Sequence, residues 1–152
     1  MIIHLAADHA GFQLKEELKK WLGKNNYQVK DYGAFVHDEK DDYPDFMHPA
    51  AKAVCDNCET DRGIIIGGSG HGEAMLANRY HGVRAAVFYG PFDEKYKKLI
   101  TLSREHNNAN ILALAGRFLS VDEAVKAVDL WLNTPFTEEE RHKRRIKKIE
   151  IE

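Results

Sequence analysis

Ser69, His71 and Glu73 stand two residues apart in a stretch that has glycine at positions 67, 68, 70 and 72. A hydroxyl, an imidazole and a carboxylate can each give or take a proton, and glycines let backbone N–H groups approach a ligand closely. The β-branched run Ile64, Ile65, Ile66 before them reads as a buried strand, and the Ala/Met/Leu pattern after them as a helix opening at about Glu73. Strand, glycine turn and helix start together make an anion cradle. A carboxylate just inside a helix N-terminus is pulled down in pKa by the dipole and pushed up by enclosure, so a partly buried Glu73 can serve as a base near neutrality. Backbone donors beside it, each worth about 3 kcal/mol toward an oxyanion, complete the equipment for proton abstraction next to a carbonyl. The product of that step is an enediolate.

Other chemistries fit the loop less well. It lacks the Gly-x-x-x-x-Gly-Lys pattern of a nucleotide phosphate loop, and Glu73 occupies the third glycine of a dinucleotide fingerprint. A nucleophilic elbow needs glycine two residues to either side of the serine, whereas the flanking glycines are at 67 and 70. The two cysteines fall in Cys55-Asp56-Asn57-Cys58 at a helix end, the wrong end for a thioredoxin-like motif, and read as reduced thiols.

Asp8 and His9 follow a short apolar segment, Ile2 to Ala7, and precede a helical pattern with Leu14, Leu18, Trp21 and Leu22 on one face. Position alone leaves Asp8 open between a site residue and a helix cap. Further candidate strands are 27–32, 83–88 and 111–115. Helices are expected over 45–54, with Pro49 in or near the first turn, and over 92–104. Ser120 to Glu123 forms a capping box for a helix burying Val125, Val128 and Leu132, and Thr137 to Glu140 a second box for a terminal helix over about 137–150. The acidic segment Val36 to Tyr43, closing with Tyr43-Pro44, reads as an exposed loop. Five strands alternating with helices predict one α/β domain over residues 1–152, a doubly wound, Rossmann-like three-layer sandwich with a five-stranded parallel sheet. Such a sheet gathers Asp8-His9, the Ser69/His71/Glu73 loop and Arg117 toward one crevice. Arg141 and Arg145, four apart, share a helix face that is open to two readings, a phosphate clamp or solvated surface. His106 is equally open, to a surface role or an acid.

The 152 residues balance 22 Lys and Arg against 24 Asp and Glu, which suggests neither nucleic-acid nor membrane binding. With no leader or membrane-length apolar run, a cytoplasmic setting is expected.

Seven segments, Ala7 to Gly11, Asp42 to Pro44, Gly67 to Glu73, Ala77-Asn78, Arg104 to Asn108, Gly116-Arg117 and Arg141 to Arg145, resemble in order the ribose-5-phosphate isomerase B family. The resemblance implies reversible isomerisation of ribose 5-phosphate and ribulose 5-phosphate through an enediolate, without metal or cofactor. It implies a homodimer, in some members a tetramer, with active sites at the subunit interface. One branch of the family takes its base from a cysteine at the end of the third strand, where this chain has Gly67; in the other branch the base is the glutamate that here is Glu73. The resemblance further implies proton transfer assisted by Ser69, an enediolate held by the amides of Gly68, Gly70, His71 and Gly72, and ring opening by His106 with Asp8. His9, Arg117, Arg141 and Arg145 would hold the phosphate, Asn107 would contact the sugar and Tyr43 would wall the pocket. The terminal helix would contribute to both phosphate and dimer contacts. Members acting on allose 6-phosphate or galactose 6-phosphate keep six-carbon substrates open, and a non-catalytic sugar-phosphate sensor is a further alternative. Between Phe88 and Arg104 the chain is several residues longer than the family pattern, a departure that leads toward His106.

Overall fold

A computed structural model describes residues 1–150. Its strands are β1 (Ile2–Ala7), β2 (Gln28–Asp31), β3 (Arg62–Gly67), β4 (Ala85–Phe88) and β5 (Ile111–Ala115). Between and after them run α1 (Phe12–Lys24), α2 (Tyr43–Asp56), α3 (His71–Ala77), α4 (Glu94–Glu105), α5 (Val121–Asn133) and α6 (Glu140–Lys147). All strand pairs are parallel in the order β2-β1-β3-β5-β4. Alternate residues of each strand enter opposite apolar layers, as the period of two requires. Ile64, Ile66, Leu112 and Leu114 pack with Leu14, Leu18, Leu22, Ile100, Val128 and Trp131 of α1, α4 and α5, while Ile65 and Ala113 pack with Met47, Ala50, Val54 and Ala74 of α2 and α3. Helices therefore cover both faces of the doubly wound, parallel sheet.

The chain leaves β1 toward α1 on one face and β3 toward α3 on the other. A crevice opens between such diverging neighbours at the carboxyl edge of the sheet, where open α/β folds bind ligands. Glycines make the approach of these loops possible: a Cβ on Gly11 would lie 2.6 Å from the Ile66 carbonyl oxygen, and one on Gly116 would lie 3.1 Å from the carbonyl oxygens of Ala10 and Gly67. The N–H groups of Gly116 and Arg117 donate to the carbonyls of Gly67 (2.8 Å) and Gly68 (3.2 Å), tying the β5 exit to the glycine turn.

Several local expectations are corrected. α2 begins at Tyr43 with Pro44 in its first turn, so Tyr43-Pro44 is not loop and Pro49 lies inside the helix, on its exposed side. Pro44 lacks only an N–H that a first turn leaves unused, which makes it the true start signal. α3 opens at His71, placing Glu73 within its first turn. The buried stripe of α5 is Ala124, Ala127, Val128 and Trp131, with Val125 and Leu132 only partly covered. Ser120 and Glu123 do form the reciprocal capping box. The second box does not form: α6 spans Glu140–Lys147 rather than 137–150, and Thr137 instead donates its hydroxyl and N–H to the Glu105 carbonyl at the end of α4 (2.8 and 3.3 Å).

Candidate active site

Glu73 is the centre of the carboxyl-edge crevice. It is buried, with 4% of its surface exposed, and its carboxylate lies directly against Gly67, in the volume a side chain at that position would fill. Burial is the main force raising its pKa above the ordinary carboxylate value, the charge of Asp8 adds to it, and the Glu73 N–H and His71 oppose it. Enclosure therefore wins over the favourable helix start. Gly70 sits at φ 76°, the left-handed region that suits glycine, and turns the chain into α3. The Ser69 hydroxyl accepts from the His71 N–H at 3.4 Å.

Around this loop the fold assembles Asp8, His9, Arg117 and Tyr43. Asp8 is buried at the end of β1 and accepts from the Gly11 N–H at 3.1 Å, so it closes the turn while lying close enough to influence Glu73. The Arg117 side chain runs over Gly68 and Tyr43 packs over Gly72, each within about 3.5 Å of where a Cβ would be. A pocket of about 450 Å³ beside them is lined by His9, Ala10, Gln13, His37, Glu39 and Arg117. His9 and Arg117 there face a common space large enough for a phosphate.

His106, Asn107, Arg141 and Arg145 lie elsewhere. His106 caps the C-terminus of α4, which runs back toward the amino edge of the sheet. Along β3 and β5 the pairs Gly63–Ile111 and Gly67–Ala115 mark the two edges, four steps or about 13 Å apart. At the amino edge the His106 ring stacks on His142 at 4.1 Å between centroids, and the Asn107 carbonyl accepts from Arg84 Nε at 3.0 Å. Arg141 and Arg145 are exposed on α6, Arg141 pairing with Glu139 at 2.7 Å. One chain thus holds the candidate residues in two groups on opposite edges.

Three neighbours of these groups were not singled out by sequence reasoning. Asp41 and His37 belong to the acidic segment read as solvated surface, yet Asp41 folds back onto His9 with its Oδ1 2.6 Å from Nδ1. His142 is buried beneath His106, and burial lowers its pKa. Tyr89, just after β4, stacks on His71 at 6.0 Å between centroids, so the chain leaving β4 also reaches the glycine loop. Cys55 and Cys58 are free thiols, and burial pushes Cys58 up in pKa, away from thiolate reactivity. Asp8, His9 and Asp41 bring potential metal-ligand atoms within 4.8 Å of one another, but the Asp41 oxygen nearest His9 is already committed to its ring.

The sequence profile of the Ribose/Galactose Isomerase family matches residues 3–149. The chain belongs to this family. Ribose-5-phosphate isomerase B of Mycolicibacterium paratuberculosis is 40% identical over 147 residues, spanning 96% of this chain and 87% of that relative. The structure of ribose-5-phosphate isomerase B from Mycoplasma genitalium with bound ribulose-5-phosphate matches with TM-score 0.90 and 40% identity, over 97% of this chain and 93% of the other. That from Thermotoga maritima matches with TM-score 0.87 and 42% identity, over 97% and 96% of the two chains. The five-stranded parallel α/β architecture is therefore that of the family. Among the described residues no helix is long and apolar enough to cross a membrane.

Proposed function

We propose that this chain is an aldose-ketose isomerase that interconverts ribose 5-phosphate and ribulose 5-phosphate, a step of the pentose phosphate pathway. The observation that carries the reading is Glu73: a carboxylate buried against Gly67, raised in pKa, and set beside backbone donors in the crevice shared with Asp8, His9 and Arg117. Glu73 removes the C2 proton of the open-chain aldose, and the electron pair moves into a C1–C2 double bond as the carbonyl oxygen becomes an enediolate oxygen. The loop amides from Gly68 to Gly72 hold that oxygen, and Ser69 assists proton transfer between O1 and O2. Return of the proton to C1 gives the ketose, and no redox partner is needed.

His106 of a second copy would open the furanose ring by protonating the ring oxygen, with Asp8 taking the hydroxyl proton. Two arguments support a homodimer, or a tetramer built from it, with shared sites. The amino-edge position of His106 and Asn107 keeps them from the Glu73 of the same chain, and the phosphate pocket of one chain sets Glu39 and the neighbouring Asp8 and Asp41 against His9 and Arg117. A phosphate dianion needs more positive charge than that, which Arg141 and Arg145 of the second copy would supply. We place the enzyme in the cytoplasm, in keeping with its two free thiols.

The test is a coupled assay with ribose, allose and galactose phosphates, before and after chelator, on the wild type and Glu73→Gln. Expected are metal-independent turnover of the pentose phosphate and a loss of at least about a thousand-fold in kcat for Glu73→Gln, with substrate binding retained. Equal binding without turnover in the wild type would mark a sugar-phosphate sensor, and activity abolished by chelator would refute the metal-free mechanism.

A further inference from the structure

Asp41 makes two contacts to one residue. Its Oδ1 accepts from the His9 N–H at 3.2 Å and lies 2.6 Å from His9 Nδ1, so backbone and ring are gripped together. Its Oδ2 is buried and, among the described residues, has no hydrogen-bond partner. A carboxylate so enclosed is costly unless a cation faces it, and the ring it grips can become that cation. The grip also decides which nitrogen is free. With Nδ1–H spent on Asp41, His9 presents Nε2 outward, and a neutral ring would there offer a lone pair, which repels phosphate. Only the imidazolium can donate from Nε2.

We propose that Asp41 is a positioning residue that fixes the His9 ring with Nε2 toward the pocket and favours its charged form as the phosphate ligand. The inference rests on the assignment of His9 to phosphate made above.

The surroundings of His9 set the balance. Asp41 favours the charged ring most strongly and the Asp8 charge favours it too, while partial burial and Arg117 oppose it; the net effect is a pKa above the ordinary imidazole value. His37 lies edge-on to His9 at 6.3 Å between centroids, and Glu39 lines the same pocket. The contact crosses 32 residues of sequence, so it also fastens the segment before α2 over the pocket. Two residues on, Tyr43 covers Gly72. One short segment therefore touches both the phosphate end and the enediolate end of the site.

Asp41→Asn keeps an acceptor for Nδ1–H and removes the charge; Asp41→Ala removes both. His9, assigned through His9→Gln, is titrated by NMR of its ring, and inorganic phosphate binding is followed calorimetrically from pH 5.5 to 8.5. The midpoint of His9 is expected to fall by about one pH unit in Asp41→Asn. Phosphate affinity should weaken about ten-fold at pH 8 and less than about three-fold at pH 5.5, where the ring is charged in either protein. That recovery at low pH also shows the variant to be folded. Asp41→Ala should weaken binding at both pH values, since orientation is lost as well. An unchanged His9 midpoint, or a loss of affinity equal at both pH values in Asp41→Asn, overturns the proposal. Phosphate affinity unaltered in His9→Gln overturns it together with the phosphate role of His9. Absence of isomerase turnover with the phosphate pattern intact would refute only the assigned reaction.

Discussion

Replacing Gly67 by alanine should cost the enzyme its base without costing it its fold. Gly67 is the last residue of β3, paired with Ala115, and its backbone is ordinary strand, so alanine meets no conformational objection. The objection is the Glu73 carboxylate. A Cβ would stand 2.7 Å from Oε2 and nearer still to Oε1 and Cδ, against an ordinary separation of about 3.5 Å, so the carboxylate must retreat by roughly 1.5 Å. Misplacement of a reacting group by about 1 Å costs on the order of a hundred-fold, equivalent to about 2.7 kcal/mol of transition-state stabilisation. The expected result is a kcat at least about a hundred-fold lower with KM changed less than about three-fold, because the phosphate ligands are untouched. Moved toward solvent, Glu73 loses part of the burial that raises its pKa, so the acid limb of residual activity should shift to lower pH. Circular dichroism and thermal melting check that the sheet persists. A Gly67→Ala enzyme with near-wild-type kcat would refute the reasoning, since it would show that proton transfer does not need the carboxylate at this place.

Two further outcomes follow from the placement of the other groups. If Glu73 works with His106 of a second copy, Glu73→Gln and His106→Asn, each nearly inactive alone, should regain about a quarter of wild-type activity when refolded together, because half the dimers are mixed and each holds one intact site; no recovery would put both groups in one chain. Asn110, fully buried, donates to the Gly82 and Cys58 carbonyls and accepts from the Arg84 N–H, so Asn110→Ala should destabilise the chain by about 2–4 kcal/mol in urea unfolding, with a change below about 0.5 kcal/mol counting against that network.

What the sequence disclosed was whatever its local chemistry could enforce. Ile111 to Ala115 is unbroken, apolar and bounded by Asn110 and Gly116, and its limits match the strand. Ser120 and Glu123 satisfy each other within one turn and needed no tertiary help. Thr137 has the same spacing to Glu140, but its hydroxyl finds the Glu105 carbonyl of α4, a partner 32 residues away that no local pattern announces. The buried stripe of α5 is carried by Ala124 and Ala127 because small side chains let the helix lie close to its neighbours; a reading keyed to valine and leucine rotates that face. Asp41 was hidden for a related reason. Amid Asp38, Glu39 and Asp42 it looks like one more solvated charge, and only the fold distinguishes it by bringing His9 to it.

The close approach of Glu73 to Gly67 gives physical content to a choice that the sequence only hinted at. A base can be mounted at the end of β3 or in the first turn of α3, but the two mounts share one volume. The side chain at 67 and the carboxylate at 73 exclude each other by overlap. Glycine at 67 is then the space in which the Glu73 carboxylate is buried. That burial does chemical work, since it outweighs the stabilising N–H groups at the helix start and raises the Glu73 pKa toward the range of a usable base. A solvent-exposed glutamate on the same turn would keep its charge but remain a weak base. Arg117 runs over Gly68 and His9 lines the neighbouring pocket, and neither is among the groups that move the Glu73 pKa, which burial and the Asp8 charge raise against the Glu73 N–H and His71. On the proposed assignment, separating the cationic end from the enclosed carboxylate would let one crevice bind a dianion and still keep a general base ready for a proton.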